Sequence, residues 1–315
     1  MDPTLPTFDD VLAAAARIAT HANRTPVLRS RSLDALAGAE LHFKCEHLQR
    51  MGAFKFRGAC NAVQSLDDAT AARGVVTHSS GNHGAALALA ARERGIAAHV
   101  VVPDGANAVK LAAIEAYGAT VHRCAATQAA REATAARILA ETGATLVHPY
   151  ADPRVIAGQG TAALELLSET GPLDALVTPL GGGGLTCGTA LVAAARGGAA
   201  VYGAEPAGAP DAFESLRQGR HVTDQVPDTV CDGLRATVGA PNLALMRQQG
   251  VQALLASDEE VVAAMRLLWS RLKQVVEPSA AIALAVVLNN PAHFAGKRVG
   301  LILSGGNVDL DALPW

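Results

Sequence analysis

A lysine between two phenylalanines stands in the run Gln49-Arg50-Met51-Gly52-Ala53-Phe54-Lys55-Phe56-Arg57-Gly58-Ala59, just after a glycine and at the mouth of an expected helix. Apolar neighbours there desolvate the ammonium, and burial lowers a lysine pKa and frees a nucleophilic amine. Such an amine can hold a carbonyl cofactor as a Schiff base. For an isolated Phe-Lys pair the plain alternative is a lysine snorkelling along an amphipathic helix. Three further stretches bear on the choice.

In the first, Val177-Thr178-Pro179-Leu180 leads into Gly181-Gly182-Gly183-Gly184 and then into the helix that starts near Leu185. Glycines remove the side chains that would keep an anion from backbone amides, and the helix start adds a positive dipole end, so this is a phosphate cradle. It lacks the Lys and Ser/Thr of a nucleotide P-loop, and contiguous glycines do not meet the dinucleotide spacing. A flexible turn is the other reading. In the second, Thr77-His78-Ser79-Ser80-Gly81-Asn82-His83-Gly84 lies at the end of an expected strand. Hydroxyls, an amide and free backbone donors converge there as a place for a substrate carboxylate. Alternatively Ser80 or Asn82 caps a helix and His83 is a neutral, hydrogen-bonded histidine. In the third, Ser304-Gly305-Gly306-Asn307 follows the last strand. Ser304 offers a neutral hydrogen bond; against a pyridine nitrogen it leaves the ring largely unprotonated, which favours prompt loss of a β leaving group. An amine, a phosphate cradle and a ring-nitrogen partner make Lys55 a candidate anchor for pyridoxal phosphate.

Short β-branched runs alternating with alanine-rich segments predict an α/β fold with parallel sheets flanked by helices. Strands are expected over 40–45, 74–78, 98–102, 120–123, 174–178, 200–204 and 298–303, and helices over 9–21, 83–94, 107–117, 127–141, 158–169, 185–196, 258–273 and 279–288. Thr7 and Asp10 offer a capping box for the first helix. The segment His148-Pro149-Tyr150-Ala151-Asp152-Pro153 reads as a connector. A small domain over 74–149 is therefore expected, inserted into a large domain formed by 1–73 and 150–315.

The chain has 315 residues, half of them hydrophobic, and a net charge of −3. That length allows two cores, and that charge points to neither nucleic acid nor membrane as a partner. Met1-Asp2-Pro3-Thr4 does not open a signal peptide, and no apolar run reaches membrane-spanning length, so a cytoplasmic location is expected. Cys45, Cys60, Cys124, Cys187 and Cys231 form no Cys-x-x-Cys pair. Reduced, packed thiols are expected rather than disulfides or zinc.

The chain resembles the fold type II pyridoxal phosphate enzymes, and within them the group of serine/threonine dehydratases, serine racemases and threo-3-hydroxyaspartate dehydratases. The resemblance is carried, in the family's order and over almost the whole chain, by 52–59, 79–84, Val155-Ile156-Ala157-Gly158-Gln159-Gly160-Thr161, 181–184 and 304–307. It implies that Lys55 carries the internal aldimine, Phe54 packs near the ring, Asn82 binds the ring hydroxyl oxygen, the four glycines hold the phosphate and Ser304 meets the pyridine nitrogen. It places Ser79, Ser80, Asn82 and His83 around the substrate carboxylate, with Ser80 on the face opposite Lys55, where a hydroxyl could racemise serine. It also implies a divalent cation between Glu205, the carbonyl of Ala209 and Asp211; such oxygen donors suit magnesium, or calcium or manganese.

The activity implied is α,β-elimination from a 3-hydroxy amino acid of the L-serine/L-threonine class, giving a 2-oxo acid and ammonia, with hydroxyaspartate dehydration or serine racemisation as alternatives. Arg131 aligns with an arginine facing the substrate's distal side, where a guanidinium would clamp a second carboxylate. An arginine on an exposed helix is otherwise solvated surface. Gly52-Ala53 also leans toward hydroxyaspartate, whereas Ala236 stands where racemase relatives often carry a substrate-touching serine. A β-replacement synthase and a non-catalytic cofactor-binding protein are the remaining rivals. A homodimer is implied by family, and without a regulatory module beyond 304–307 no isoleucine inhibition is expected.

Overall fold

The computed structural model describes residues 5–105 and 108–315. In chain order the strands are β1 (Val27–Leu28), β2 (Glu40–Lys44), β3 (Val75–Thr77), β4 (Ala98–Pro103), β5 (Thr120–Cys124), β6 (Thr145–Leu146), β7 (Ala175–Pro179), β8 (Ala200–Pro206), β9 (Gln252–Ala256) and β10 (Arg298–Ile302). They form a six-stranded sheet, β1-β2-β10-β7-β8-β9, and a four-stranded sheet, β5-β4-β3-β6. Every named pair is parallel except β1 with β2. Parallel neighbours require crossovers, and helices supply them on both faces of each sheet.

Alternation along the strands feeds two cores. Val177 and Leu301 join the cluster containing the buried helix Pro278–Asn289, while Leu176 and Ile302, one residue away, join the cluster under helices Pro153–Thr170 and Gly184–Ala195. Period-two side chains leave no solvent face on these strands. Each fully buried leucine there stabilises the fold by about 1.5–3 kcal/mol.

Helices Lys55–Gln64, Pro153–Thr170 and Gly184–Ala195 touch backbone to backbone through glycines. A Cβ on Gly158 would lie 2.7 Å from both the Arg57 carbonyl oxygen and the Gly58 Cα, and one on Gly188 would lie 2.5 Å from the Ile156 carbonyl oxygen. The Val155–Thr161 motif is thus the surface on which the lysine helix rests. Beside it, fully buried Arg57 pairs with both oxygens of Glu46 at 2.7 and 2.8 Å and with Glu165 at 2.7 Å, and Lys44 Nζ reaches Glu165 at 2.6 Å. Burial opposes the Arg57 charge, but Glu46 and Glu165 more than offset it and raise its pKa. Removing one partner of such a buried network costs about 3–5 kcal/mol.

The capping box at Thr7 and Asp10 is present, with Thr7 N–H donating to Asp10 Oδ2 at 2.8 Å. Other boundaries move. The helix expected from 158 starts at Pro153, because Asp152 accepts from Arg154 N–H at 2.8 Å and proline suits the first helical position. The helix expected to 273 passes into a π-turn at Leu268–Leu272 and stops at Lys273, whose φ is +62°. Strands β1, β6 and β9 and helices Arg31–Ala37, Asp211–Gln218 and Ala240–Gln248 were not expected. The expected helix start at Asn107 and the reading of Met1–Thr4 lie outside the described residues. All five cysteines are free and buried. Among the described residues no helix is long and apolar enough to cross a membrane.

Candidate active site

Lys55 opens helix Lys55–Gln64, and the chain before it is stitched to the end of β10. Met51 and Gly52 have φ of +54° and +77°; Ala53 then bridges Gly305, Phe54 N–H donates to Ser304 O at 2.9 Å, and Gly306 N–H donates to Gly52 O at 2.9 Å. A side chain at position 52 would meet Asn307 Oδ1 at 2.5 Å, so this turn needs glycine for both its backbone and its space. Lys55 Nζ donates to Pro149 O at 3.0 Å and lies 5.1 Å from the Phe54 ring centroid. Burial brings its pKa down to about 8, while the Glu277 carboxylate pulls the other way. The snorkelling alternative fails, since Nζ points inward.

The four glycines connect β7 to helix Gly184–Ala195, and Gly183 is its N-cap at φ +92°. None of the described residues accepts a hydrogen bond from the Gly181, Gly182 or Gly183 amides. Tyr150 lies across them: a Cβ on Gly182 would fall 2.2 Å from its ring, and one on Gly184 3.1 Å from its carbonyl oxygen. Asn242 Nδ2 ties Tyr150 O at 2.9 Å and Gly182 O at 2.6 Å. Unpaired amides at the start of a twelve-residue helix are a place for an anion. That donor set, with Lys55 and with Ser304 buried at 3% exposure, fits pyridoxal phosphate.

The Thr77–Gly84 run turns from β3 into helix Asn82–Arg94. Its N-cap is Gly81, which has no side chain to bond the helix, so Ser80 and Asn82 are not spent on capping. Gly84 is required because a Cβ there would lie 2.2 Å from Ser79 O. His83 is buried, its Nε2 faces Val147 O at 3.3 Å, and burial with the nearby Lys55 charge lowers its pKa well below the ordinary value. It is a neutral histidine whose Nδ1 lacks a partner among the described residues. Asn82 Nδ2 donates to Glu277 Oε1 at 3.0 Å, and Asn82 Oδ1 accepts from Asn307 Nδ2 at 2.9 Å.

Arg131 stands in the first turn of helix Gln128–Thr142, half-buried, with a buried Nε that has no partner among the described residues. Burial lowers the His78 pKa and the Arg131 charge adds to it; burial and Asp211 raise that of Tyr150 while Arg131 opposes them. The Arg131 charge thus reaches His78 and Tyr150, and its Nε is shielded from solvent. His148 stacks edge-on against His78 at 5.1 Å and Tyr150 at 4.6 Å, and its Nδ1 accepts from the Ala151 N–H at 3.1 Å. Burial and then His78 bring the His148 pKa down to about 4.

Glu205, at 1% exposure near the end of β8, accepts from the N–H groups of Ala212 at 2.8 Å and Phe213 at 2.7 Å. Asp211 accepts from Val238 N–H at 2.7 Å, and Ala209 is buried beside them. Burial, then the Asp211 charge, pushes Glu205 up to about 8; burial raises Asp211 to about 6. Among the described residues neither forms an ion pair, and no cluster of three or more His, Cys, Asp or Glu ligands occurs. Two buried carboxylates, with His221 the one basic side chain whose charge reaches Asp211 among the described residues, fit a hard cation that takes its other ligands from carbonyls and water.

Glu277, Tyr150, His148 and Asn242 escaped the reading of motifs, and Asn307 entered it only as the end of the 304–307 run, with no role. Glu277 carried one signal, an acid directly before Pro278 at a helix start; Tyr150 carried another, an aromatic side chain in a chain with 3% aromatics. Beyond Asn82 and Glu277 a cavity of about 390 Å³ opens between Tyr117 and the 307–314 segment, and neither Lys55 nor any of Gly181–Gly184 lines it.

The chain is similar to known proteins along nearly its whole length. The chain is 49% identical over 312 residues to a beta-hydroxyaspartate dehydratase of Paracoccus denitrificans, covering 99% of each chain. It is 46% identical over 308 residues to an L-threo-3-hydroxyaspartate ammonia-lyase of Saccharomyces cerevisiae, covering 97% of this chain and 94% of that one. Maize serine racemase superposes with a TM-score of 0.95 at 42% identity, covering 97% of this chain and 95% of that one. The family model described as pyridoxal-phosphate dependent enzyme matches residues 18–305, and the chain belongs to that family.

Proposed function

We propose that this enzyme is a dehydratase that converts 3-hydroxyaspartate to oxaloacetate and ammonia, within a broader capacity for 3-hydroxy amino acids such as L-serine and L-threonine. The observation that carries the dicarboxylate preference is Arg131, a half-buried guanidinium whose charge reaches His78 and Tyr150 and whose buried Nε has no partner among the described residues. A substrate carboxylate completes such a group through charge-assisted hydrogen bonds. The hydroxyaspartate-acting relatives support the same reading.

When bound, pyridoxal phosphate supplies the electron sink that lets an α-proton leave. The Gly181–Gly184 amides hold its phosphate, Asn82 its ring oxygen and Ser304 its ring nitrogen, with Phe54 against the ring. Lys55 takes the α-proton, and its lowered pKa leaves a useful share of neutral amine near neutral pH. Ser79, Ser80, Asn82 and His83 hold the α-carboxylate at the start of helix Asn82–Arg94. The β-hydroxyl departs as water, and hydrolysis of the nitrogen linkage returns a water, so the net products are the 2-oxo acid and ammonia.

Ser80 supports a second activity, serine racemisation, because its hydroxyl is not used as a cap and is free to serve the second face. Glu205, Ala209 and Asp211 hold magnesium, or another hard divalent cation, in this reading. The chain works as a cytoplasmic homodimer of subunits with a small domain over 74–149 inserted in a large one.

Purified enzyme given both 3-hydroxyaspartate diastereomers, L-serine and L-threonine, with oxo acid, ammonia and enantiomer measured, tests the proposal. The Arg131→Met variant is expected to raise KM for the productive hydroxyaspartate at least about tenfold while changing that for serine less than about threefold, as a charged hydrogen bond of roughly 1.5–3 kcal/mol requires. Equal effects on both substrates would remove Arg131 from the distal carboxylate. Ser80→Ala should suppress D-serine formation and leave elimination in place.

A further inference from the structure

Glu277 is almost fully buried, at 3% exposure, and sits at the N-cap of helix Pro278–Asn289. Its N–H donates to Gly305 O at 3.0 Å, and a Cβ on Gly305 would lie 2.6 Å from its Oε1, so it is wedged against the loop that follows β10. Its two carboxylate oxygens accept from Asn82 Nδ2 at 3.0 and 3.3 Å. The other end of the same amide, Asn82 Oδ1, accepts from Asn307 Nδ2 at 2.9 Å, and Asn307 Nδ2 also reaches Met51 O at 2.9 Å.

These partners leave the Asn82 amide one orientation. An ionised carboxylate only accepts and an amide NH₂ only donates, so Nδ2 must face Glu277 and Oδ1 must face Asn307. Rotating the amide by half a turn would set oxygen against carboxylate and NH₂ against NH₂. An amide nitrogen carries two N–H bonds that diverge, and the two oxygens of one carboxylate approach Nδ2 from the same side and share one of them. The other remains for a ligand.

We propose that Glu277 is a positioning residue, which together with Asn307 fixes the Asn82 amide so that an N–H, and not the carbonyl, meets the ring oxygen of pyridoxal phosphate. The proposal rests on Asn82 being the ring-oxygen ligand. Glu277 and Asn307 lie 195 and 225 residues away in sequence, so the lock also ties the loop after β3 to the loop after β10. A competing role is electrostatic: after burial, the Glu277 charge is the influence on the Lys55 amine, and it could act there directly.

The test is equilibrium binding of pyridoxal phosphate to apo-enzyme, read by absorption and by quenching of intrinsic fluorescence. Asn82→Ala, Glu277→Gln, Glu277→Met, Asn307→Ala and the Asn82→Ala/Glu277→Met double variant are compared, with circular dichroism of each apo form. Glu277→Met strands the amide, so Kd should rise about tenfold and the absorption maximum of bound cofactor should move as it does in Asn82→Ala. Glu277→Gln keeps one acceptor and should stay within about threefold of wild type. The double variant should be no more than about twofold weaker than Asn82→Ala alone, because both substitutions remove one interaction. Asn307→Ala, on an exposed side chain, should weaken binding in the same direction and carries the test if Glu277→Met does not fold.

Additive losses in the double variant, or a Glu277→Gln loss as large as that of Glu277→Met, would overturn the proposal in favour of charge on Lys55. Unchanged binding and spectrum in Asn82→Ala alone would instead remove Asn82 from the cofactor, and the role of Glu277 with it. Wild-type binding in Asn307→Ala and Glu277→Met together with a weakened Asn82→Ala would leave Asn82 a ligand and Glu277 without the proposed part.

Discussion

Lys55 makes a claim that can be measured before any substrate is added. Burial lowers its pKa to about 8, and below that value the amine is mostly protonated and cannot attack a carbonyl. Covalent capture of pyridoxal phosphate by apo-enzyme should therefore quicken about tenfold per pH unit up to about pH 8 and flatten above it. An ordinary exposed lysine would keep accelerating toward the usual lysine value of 10.5. Stopped-flow absorption between pH 6 and pH 10 separates the two, and a rate still climbing tenfold per unit at pH 9.5 would place the amine in water. Lys55, Ser304 and the glycines were legible in the sequence because each announces itself through its immediate neighbours. Glu277 and Tyr150 were not, because their partners Asn82 and Gly182 arrive from 195 and 32 residues away, through folding alone.

At the scale of elements, the Val155–Thr161 run was legible as a motif but not as a mechanism. Only the packed helices show that its glycines let Pro153–Thr170 lie against Lys55–Gln64 and Gly184–Ala195, the two elements that present the amine and the phosphate cradle. Gly158→Ala would place a methyl 2.7 Å from the Arg57 carbonyl and the Gly58 Cα, backbone atoms that no rotamer change relieves. Overpacking of that kind costs about 1–3 kcal/mol. Thermal denaturation should show a lower Tm, and cofactor affinity should fall too, since the lysine helix is the element displaced. Gly171→Ala offers the contrast: nothing lies near its Cβ, so only its backbone strain at φ +70° enters and the cofactor site should be untouched. The long strands were readable from β-branched runs. The two-residue strands β1 and β6 were not, because such pairs exist only where a neighbouring strand already stands.

For the whole molecule, the question is what joins the carboxylate pair behind β8 to the cofactor. Asp211 accepts from Val238 N–H at 2.7 Å, and the adjacent Gly239 N–H donates to Gly182 O at 3.2 Å, so the segment 238–239 connects the two sites. The two carboxylates repel when both are ionised, and a bound divalent cation reverses the sign of that contribution. A ligand held only by the folded state at a hundred times its Kd stabilises it by about 2.7 kcal/mol. Chelation with EDTA should lower the holoenzyme Tm by a few degrees, millimolar magnesium should restore it, and Asp211→Asn should make Tm indifferent to both. The same chelation should loosen pyridoxal phosphate, because the glycine loop loses the support that reaches it through Val238 and Gly239. A Tm that ignores EDTA in the wild type would mean that Glu205 and Asp211 are held by backbone N–H groups and protonation alone, with no cation between them.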